Sequence, residues 1–301
     1  MYAITGITGN VGGSVAHNLL TAGRSVRAVV RDMGKGDVWG KCGCEVVKAD
    51  IADATSLASA FRGAEGVFVL VPPNFDPAPG FAEARATAVS LKSALEKADP
   101  GRVVYLSTIG AQAGESNLLT QHTIIEQVLA ELPVPITFLR PAWFMENFRW
   151  DVAAARESGS IISFLQPLDK PVPMVATADI GREAAKLLQE SWTGRRVVEL
   201  EGPRRVTPNE VANIFAEVLG RPVSMDAVPR ETWEGLFRSQ GMKNPTPRIR
   251  MLDGFNEGWI KFENGDAGSR KGEVALKSVL QTLVEREGIR PIPAAVPVSH
   301  N

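Results

Sequence analysis

The chain has 301 residues with 44% hydrophobic side chains, enough apolar material for one large domain or two modest ones, so overall disorder is excluded. Its 33 basic and 34 acidic residues give a formal net charge of −1, which offers no electrostatic basis for binding nucleic acid or an anionic membrane surface. No run of 18 apolar residues occurs, so we expect no segment that spans a bilayer.

Short β-prone runs alternate with helical patterns through the first half of the chain. The predicted strands are YAIT (2–5), SVRAVVR (25–31), GCEVVKADI (43–51), GVFVLVPP (66–73), RVVYLSTIGA (102–111) and ITFLRPAWFMEN (136–147). The predicted helices are VGGSVAHNLLTAG (11–23), ATSLASAFRG (54–63), FAEARATAVSLKSALEKA (81–98) and LLTQHTIIEQVLAEL (118–132), and a glycine-rich loop follows the second strand. This alternation predicts an α/β fold with a Rossmann-type, doubly wound parallel sheet.

The alternation breaks in the second half. We predict a helix at 151–161, a return to the sheet at 171–175 followed by a helix at 176–190, and a strand at 195–202. A helix at 207–220 has Thr207 as N-cap and Glu210 three residues later. A strand at 223–229 and helices at 230–241 and 273–287 follow, while 244–269 receives no firm assignment and 289–301 is a proline-rich tail.

These elements predict two units. Residues 1–150 form a doubly wound Rossmann-type domain to which 172–200 returns, and 151–301 form a smaller, mixed α/β subdomain with a C-terminal tail. Cys42 and Cys44 lie too close in sequence for an unstrained bridge. We interpret both as free thiols of a cytoplasmic protein, and we expect no metal site, because no recognisable ligand spacing occurs.

The first strand runs into a glycine turn. Gly6, Gly9 and Gly12 form G-x-x-G-x-x-G between a strand and a helix. Such spacing permits a tight turn, a close approach of the backbone to a pyrophosphate and close packing of helix on strand. An ordinary small-residue turn is the alternative, but the strand–turn–helix context favours a dinucleotide site. We therefore expect 1–150 to be an NAD(P)-binding domain and 151–301 to be the substrate-binding subdomain.

The end of the second strand discriminates between coenzymes. An NAD enzyme needs a carboxylate there for the ribose 2′-hydroxyl, whereas this chain has Val30 followed by Arg31. A guanidinium pairs with a 2′-phosphate and favours NADP, although a slip of one residue would bring Asp32 into reach. Asp50, after the third strand, is placed to touch the adenine. It could equally cap the next helix, and one residue can play both roles.

TGITGNVGGSVAHNLLTAGRSVRAVVRD, KADIAD, VFVLVPP, VVYLSTIGA and FLRPAWFMENF together resemble the NmrA-like branch of the atypical short-chain dehydrogenase/reductases, over about residues 1–200. That branch includes NADPH-dependent quinone oxidoreductases and catalytically silent redox sensors. The resemblance implies these positions: Gly6, Thr8, Gly9, Asn10, Val11 and Gly12 at the pyrophosphate, Arg31 at the 2′-phosphate, Asp50 and Ile51 at the adenine, Val71 and Pro72 at the adenosine ribose, and Ser107, Thr108 and Pro141 by the nicotinamide.

The Tyr-x-x-x-Lys dyad of the classical reductases is missing from the helix after the fifth strand. Tyr2 and Tyr105 both fall in predicted strands, and 117–132 contains no lysine. His122 and Glu126 occupy that helix at i and i+4. We predict His122 as the candidate catalytic residue, with a hydrogen-bonded structural histidine as the alternative, and a surface or structural contact for Glu126.

Aromatic residues follow the sixth strand in PAWFMENFRW (141–150). We predict that Phe144, Asn147 and Phe148 face a flat, apolar substrate, with burial in the core as the alternative for the aromatic rings.

The leading hypothesis is therefore an NADPH-dependent oxidoreductase that transfers a hydride to a quinone or a similar planar conjugated carbonyl compound. A non-catalytic NADP-sensing regulatory protein is the alternative, and a nucleotide-sugar epimerase is disfavoured because it needs the missing dyad. We expect a small planar molecule as the partner, with neither nucleic acid nor membrane, and leave a homodimer open.

Overall fold

The computed structural model describes residues 1–288. The strands of this part are β1 (Tyr2–Thr5), β2 (Val26–Val30), β3 (Glu45–Lys48), β4 (Gly66–Val69), β5 (Val103–Leu106), β6 (Ile136–Pro141), β7 (Trp143–Phe144), β8 (Ser160–Ser163), β9 (Met174–Val175), β10 (Arg195–Glu201), β11 (Ser224–Ala227) and β12 (Arg270–Lys271). The helices are α1 (Asn10–Thr21), α2 (Asp37–Lys41), α3 (Ala54–Phe61), α4 (Ala82–Ala98), α5 (Thr120–Leu129), α6 (Val152–Glu157), α7 (Thr177–Gln189), α8 (Pro208–Leu219), α9 (Trp233–Ser239), α10 (Thr246–Glu257) and α11 (Leu276–Gly288).

Eight strands form one sheet in the order β12-β10-β6-β5-β4-β1-β2-β3, and every neighbouring pair is parallel. β1 lies between β2 and β4, with Ile4 opposite Ala28 on one side and Phe68 on the other. The chain therefore winds outward in both directions from β1, and the predicted doubly wound parallel sheet is confirmed. The loops diverge at the carboxyl ends of β1 and β4, which is where such sheets bind ligands.

Helices cover both faces of the sheet. α1 and α7 pack together on one face, and α3, α4 and α5 pack side by side on the other. The strands feed the two cores alternately, since Val104 belongs to the first and Tyr105 to the second. This double burial explains why the strands are continuously apolar in sequence.

The second half departs from the prediction at several points. The 171–175 segment does not return to the main sheet, because β9 pairs with β7 in a separate two-stranded sheet. β10 is the strand that returns, beside β6. β8 and β11 form another two-stranded parallel sheet, which gives the second half its mixed α/β character.

Two helices form where we predicted none. The glycine-rich loop after β2 contains a 3₁₀ turn (Met33–Gly36) and α2, and the Asp32 carboxylate caps that turn by accepting a hydrogen bond from the Gly34 N–H. α10 fills part of the unassigned 244–269 segment and buries Leu252 and Phe255. Glycines in the first segment, and proline together with glycine in the second, obscured the helical period.

The capping box of α8 is confirmed, with the Thr207 hydroxyl accepting from the Glu210 N–H and the Glu210 carboxylate accepting from the Thr207 N–H.

Within residues 1–288, no helix is both long and apolar enough to cross a membrane. The predicted tail at 289–301 lies outside the described residues. The division of the chain into domains near residue 150 stays a prediction.

Candidate functional site

The glycine turn closes tightly against itself at the end of β1. Gly6 has φ +64°, in the left-handed region, and its carbonyl oxygen accepts from the Gly9 N–H at 3.0 Å. A Cβ on Gly12 would lie 2.3 Å from that same oxygen, so only glycine fits there. The Leu70 N–H donates to the Thr5 hydroxyl at 2.7 Å and joins the turn to the end of β4.

The first turn of α1 is open to a ligand. Within the described chain, the backbone N–H groups of Asn10, Val11 and Gly12 have no hydrogen-bond acceptor, and no side chain caps the helix. No acidic residue lies in that first turn. Thr8, Gly9 and Asn10 are exposed, whereas Val11 and Gly12 are buried. The positive end of the helix dipole therefore faces solvent uncompensated, which is the arrangement that binds phosphate.

Arg31 and Asp32 have different environments after β2. Arg31 is exposed and forms no hydrogen bond or ion pair with any residue in 1–288. One oxygen of Asp32 is held at 3.0 Å by the Gly34 N–H. The guanidinium is thus the unengaged group at this strand end.

Asp50 lies just beyond β3, exposed, and its carboxylate accepts from the Ala52 N–H at 2.9 Å. The capping role we left open for Asp50 is wrong, because Asp53 caps α3 by accepting from the Thr55 N–H at 2.9 Å. Hydrogen bonds from Ser56 and Thr55 lower the pKa of Asp53.

Three further predicted cofactor positions also lie beyond the carboxyl ends of strands, at the edge of the sheet where Asp50 lies. Ile51 is half-buried beside Asp50; beyond β4, Val71 is half-buried and Pro72 exposed. Since parallel strands end at one edge, the sheet brings these positions to the side that carries the glycine turn.

The three positions predicted beside a nicotinamide follow or end the neighbouring strands β5 and β6. Ser107 is buried and its hydroxyl donates to the Glu126 carboxylate at 2.5 Å. Thr108 is half-buried, and the Pro141 carbonyl accepts from the Ile109 N–H at 2.9 Å. Glu126 is thus the link between α5 and the end of β5.

Glu126 is buried and binds Arg140 of β6 with both oxygens, at 2.9 and 2.6 Å. Arg140 also donates to Glu263 at 2.7 Å and to Gln112 at 3.2 Å. Burial alone would lower the pKa of Arg140, but the bonds to Glu126 and Glu263 raise it. The structural contact expected for Glu126 is a buried ion pair, and sequence reasoning missed Arg140, although a lone charge inside an apolar strand signals a buried partner.

His122, the predicted catalytic residue, lies on α5 with its Nδ1 2.7 Å from the Tyr105 hydroxyl. Tyr105 is completely buried, and burial raises its pKa well above the ordinary value, with the charge of Glu126 adding to the effect. Burial lowers the pKa of His122 to about 4. The imidazole is therefore neutral near pH 7, a condition the sequence did not reveal.

The aromatic residues after β6 point into different surroundings. Phe144 is half-buried in β7, and Asn147 is exposed. Phe148 packs edge-on against Phe215 of α8, with ring centroids 6.4 Å apart. Whether these positions meet a substrate stays a prediction.

A cavity of about 20 Å³, room for one water molecule, lies beside Phe148. Asp151 lines it, and no residue in 1–288 donates a hydrogen bond to its carboxylate. Burial raises the pKa of Asp151 to about 7. Sequence reasoning did not single out this residue.

The described residues contain no group of three or more His, Cys, Asp or Glu side chains arranged to hold a metal ion. Cys42 is exposed, Cys44 is buried, and both are free thiols.

A model of the NmrA-like family matches residues 2–253 of this chain. Quinone oxidoreductase 2 of Escherichia coli (strain K12) is 26% identical over 305 aligned residues, covering 100% of this chain and 98% of that protein. NAD(P)H azoreductase of Xenophilus azovorans is 27% identical over 260 residues, covering 85% of each chain. The structure of Citrobacter sp. triphenylmethane reductase complexed with NADP(H) shares the fold, with a TM-score of 0.78 at 23% identity over 94% of this chain and 99% of that one.

Proposed function

The chain belongs to the NmrA-like family, and from this premise we propose that it is an NADPH-dependent oxidoreductase that transfers a hydride to a quinone or a similar planar conjugated carbonyl compound. Relatives named for quinone and azo-compound reduction, similar over most of their length, support this class of activity.

The observation that carries the proposal is the open glycine turn with an unengaged arginine at the next strand end. The free N–H groups of Asn10, Val11 and Gly12 suit a pyrophosphate, since nothing else in the described chain satisfies them. Arg31 suits a 2′-phosphate, because a planar guanidinium binds phosphate oxygens in pairs. An NAD-specific site would instead present an unengaged carboxylate there.

NADPH, when bound, supplies the hydride. The chain's own residues would do the rest: Ser107, Thr108 and Pro141 would lie beside the nicotinamide, and Phe144, Asn147 and Phe148 would face the acceptor. His122 binds the carbonyl oxygen, and solvent supplies the one proton that, together with the hydride, completes reduction of a quinone to a hydroquinone. Held in this way, the acceptor and the coenzyme react within one complex.

The reaction proceeds without a Tyr/Lys pair. α5 contains neither residue type, and both tyrosines are buried in strands, Tyr2 in β1 and Tyr105 in β5. A quinone accepts a hydride more readily than an unactivated ketone, because conjugation spreads the developing negative charge. Hydrogen bonding at the carbonyl oxygen is then sufficient.

The test is a fluorescence titration with NADPH and NADH, followed by NADPH oxidation with a panel of quinones. We expect tighter binding of NADPH and turnover that falls at least tenfold in Phe148→Ala. Tight NADPH binding without turnover on any acceptor would favour the NADP-sensing alternative. Absence of binding by the folded protein would overturn both.

A further inference from the structure

The Tyr105 hydroxyl has one polar partner among the described residues, Nδ1 of His122 at 2.7 Å. Tyr105 is 0% exposed, so no water reaches its hydroxyl to serve as a second partner. Tyr105 and Ser107 are two residues apart and face α5 together, Tyr105 bonding His122 and Ser107 bonding Glu126. Both contacts hold α5 against the end of β5.

The direction of the bond follows from the cost of a buried donor. If Nδ1 carried the proton and donated it, the O–H of Tyr105 would have no acceptor, and a buried unsatisfied donor costs about 1–3 kcal/mol. A phenol oxygen tolerates an unused lone pair more easily. Tyr105 therefore donates and Nδ1 accepts, which leaves the proton of a neutral imidazole on Nε2.

Both groups keep these protonation states near neutral pH. Burial raises the pKa of Tyr105, and the nearby charge of Glu126 raises it further, so the hydroxyl keeps its proton. Burial lowers the pKa of His122 to about 4, so the ring gains no second proton. The Glu126 carboxylate is held by Arg140 and Ser107 and forms no hydrogen bond with the imidazole.

His122 is half-buried: its Nδ1 is bonded to the buried Tyr105 hydroxyl, whereas its Nε2 has no hydrogen-bond partner within residues 1–288. Nor is it among the buried polar atoms that lack a partner, so Nε2 is reachable from outside. An N–H held on the accessible Nε2 of a ring that is bonded to β5 is suited to meet an acceptor oxygen.

We propose that Tyr105 is a positioning residue that fixes His122 as a neutral imidazole with its proton on Nε2, and that this N–H donates a hydrogen bond to the carbonyl oxygen of the acceptor. This inference rests on the proposed function. A neutral imidazole stabilises a developing oxyanion but does not readily surrender its own proton, so the proton that completes reduction comes from water.

The protonation state selects the class of acceptor. Hydride transfer to a quinone leaves a phenolate-type oxygen, whose conjugate acid has a pKa near 10, as in tyrosine. Hydride transfer to a simple ketone leaves a far more basic alkoxide, which needs a proton in the transition state. The site therefore favours quinones and comparable conjugated acceptors over simple aldehydes and ketones.

The decisive measurement is the long-range ¹H–¹⁵N spectrum of the histidine rings in the intact protein at pH 7. The chain has three histidines, so His122→Gln assigns the signals of His122. We expect Nε2 protonated and Nδ1 bare; a proton on Nδ1, or on both nitrogens, overturns the inference. This spectrum gives its answer even if no acceptor is reduced, so failure of the proposed function is recognised separately, by the absence of turnover.

Kinetics test the positioning role. Tyr105→Phe should lower kcat for a quinone about tenfold while leaving the dissociation constant of NADPH unchanged, and its spectrum should lose the single tautomer. Tyr2→Phe is the matched control, a buried tyrosine of β1 whose hydroxyl makes no contact with His122, and should keep both the rate and the spectrum. An unaltered tautomer and rate in a folded Tyr105→Phe protein would contradict the proposal.

Discussion

The carboxylate of Glu126 and the guanidinium of Arg140 form a buried two-point ion pair between α5 and β6. Ser107 donates to the same carboxylate, and Glu263 from the second half of the chain accepts from the same guanidinium. The pair thus links the end of β5, α5 and the C-terminal half at the candidate site.

Glu126→Gln should destabilise the protein by about 3 kcal/mol, because it leaves Arg140 buried with only Glu263 as a charged partner. Glu131→Gln is the control, since Glu131, just after α5, pairs at the surface with Lys92 of α4, and exposed pairs contribute at most about 1 kcal/mol. Urea unfolding measures the free energy of unfolding of both variants. Equal losses in the two variants would contradict the importance of the buried pair.

Gly12→Ala should lower the affinity for NADPH at least tenfold and cost about 1–3 kcal/mol of stability, since its Cβ meets backbone atoms that cannot move aside. Gly235→Ala places its Cβ in open space on α9 and should leave NADPH binding intact. Coenzyme titration compares the NADPH affinity of the two variants, and thermal unfolding compares their stability. Normal binding by Gly12→Ala would refute the role of the turn.

Arg31→Ser should weaken NADPH binding by about 10- to 100-fold and leave NADH binding nearly unchanged, because only NADPH has the 2′-phosphate. Arg62→Ser, at the exposed end of α3, serves as control for the loss of a positive charge. Isothermal titration with each coenzyme gives the dissociation constants of NADPH and NADH, and hence their ratio, for each variant. A parallel loss for both coenzymes would place the guanidinium elsewhere on the dinucleotide.

His122 should make stability fall as the pH drops. The unfolded chain takes up a proton near pH 6.5, whereas the folded protein resists until about pH 4, because burial lowers the pKa of His122. Below pH 6.5 the unfolded state therefore binds more protons, and about 3 kcal/mol is lost by pH 4.

His122→Gln should remove this part of the pH dependence, and His17→Gln, at an exposed position of α1, should not. Urea unfolding of the three proteins between pH 4 and pH 7 provides the comparison. Parallel pH curves for the parent and His122→Gln would show that the ring titrates normally.

Asp151 makes stability change with pH in the opposite direction to His122. Because burial raises its pKa to about 7, the folded protein holds a proton that the unfolded chain has already released, and stability falls as the pH rises from 3.8 to 7. Asp151→Asn should therefore stabilise the protein at pH 8 by on the order of 2 kcal/mol, with the gain shrinking towards pH 4. Thermal melts at both pH values, with the exposed Asp169→Asn as control, test this; a gain independent of pH would contradict it.

The sequence determined the doubly wound sheet, the glycine turn and the capping box of α8. These features depend on neighbours in the chain: alternating periods define the strands and helices, and Thr207 and Glu210 meet across one helical turn. The position of Arg31 after β2 follows from the same local order. Local spacing carries such information, because the contacts form within a few residues.

Only the tertiary structure decided which side chains meet. Tyr105 and His122 are 17 residues apart, and Arg140 and Glu263 are 123 apart, so no local pattern pairs them. The neutral state of His122 and the raised pKa of Asp151 likewise come from burial by segments distant in the chain. Desolvation depends on everything packed around a group, and that is fixed only when the sheet and its helices assemble.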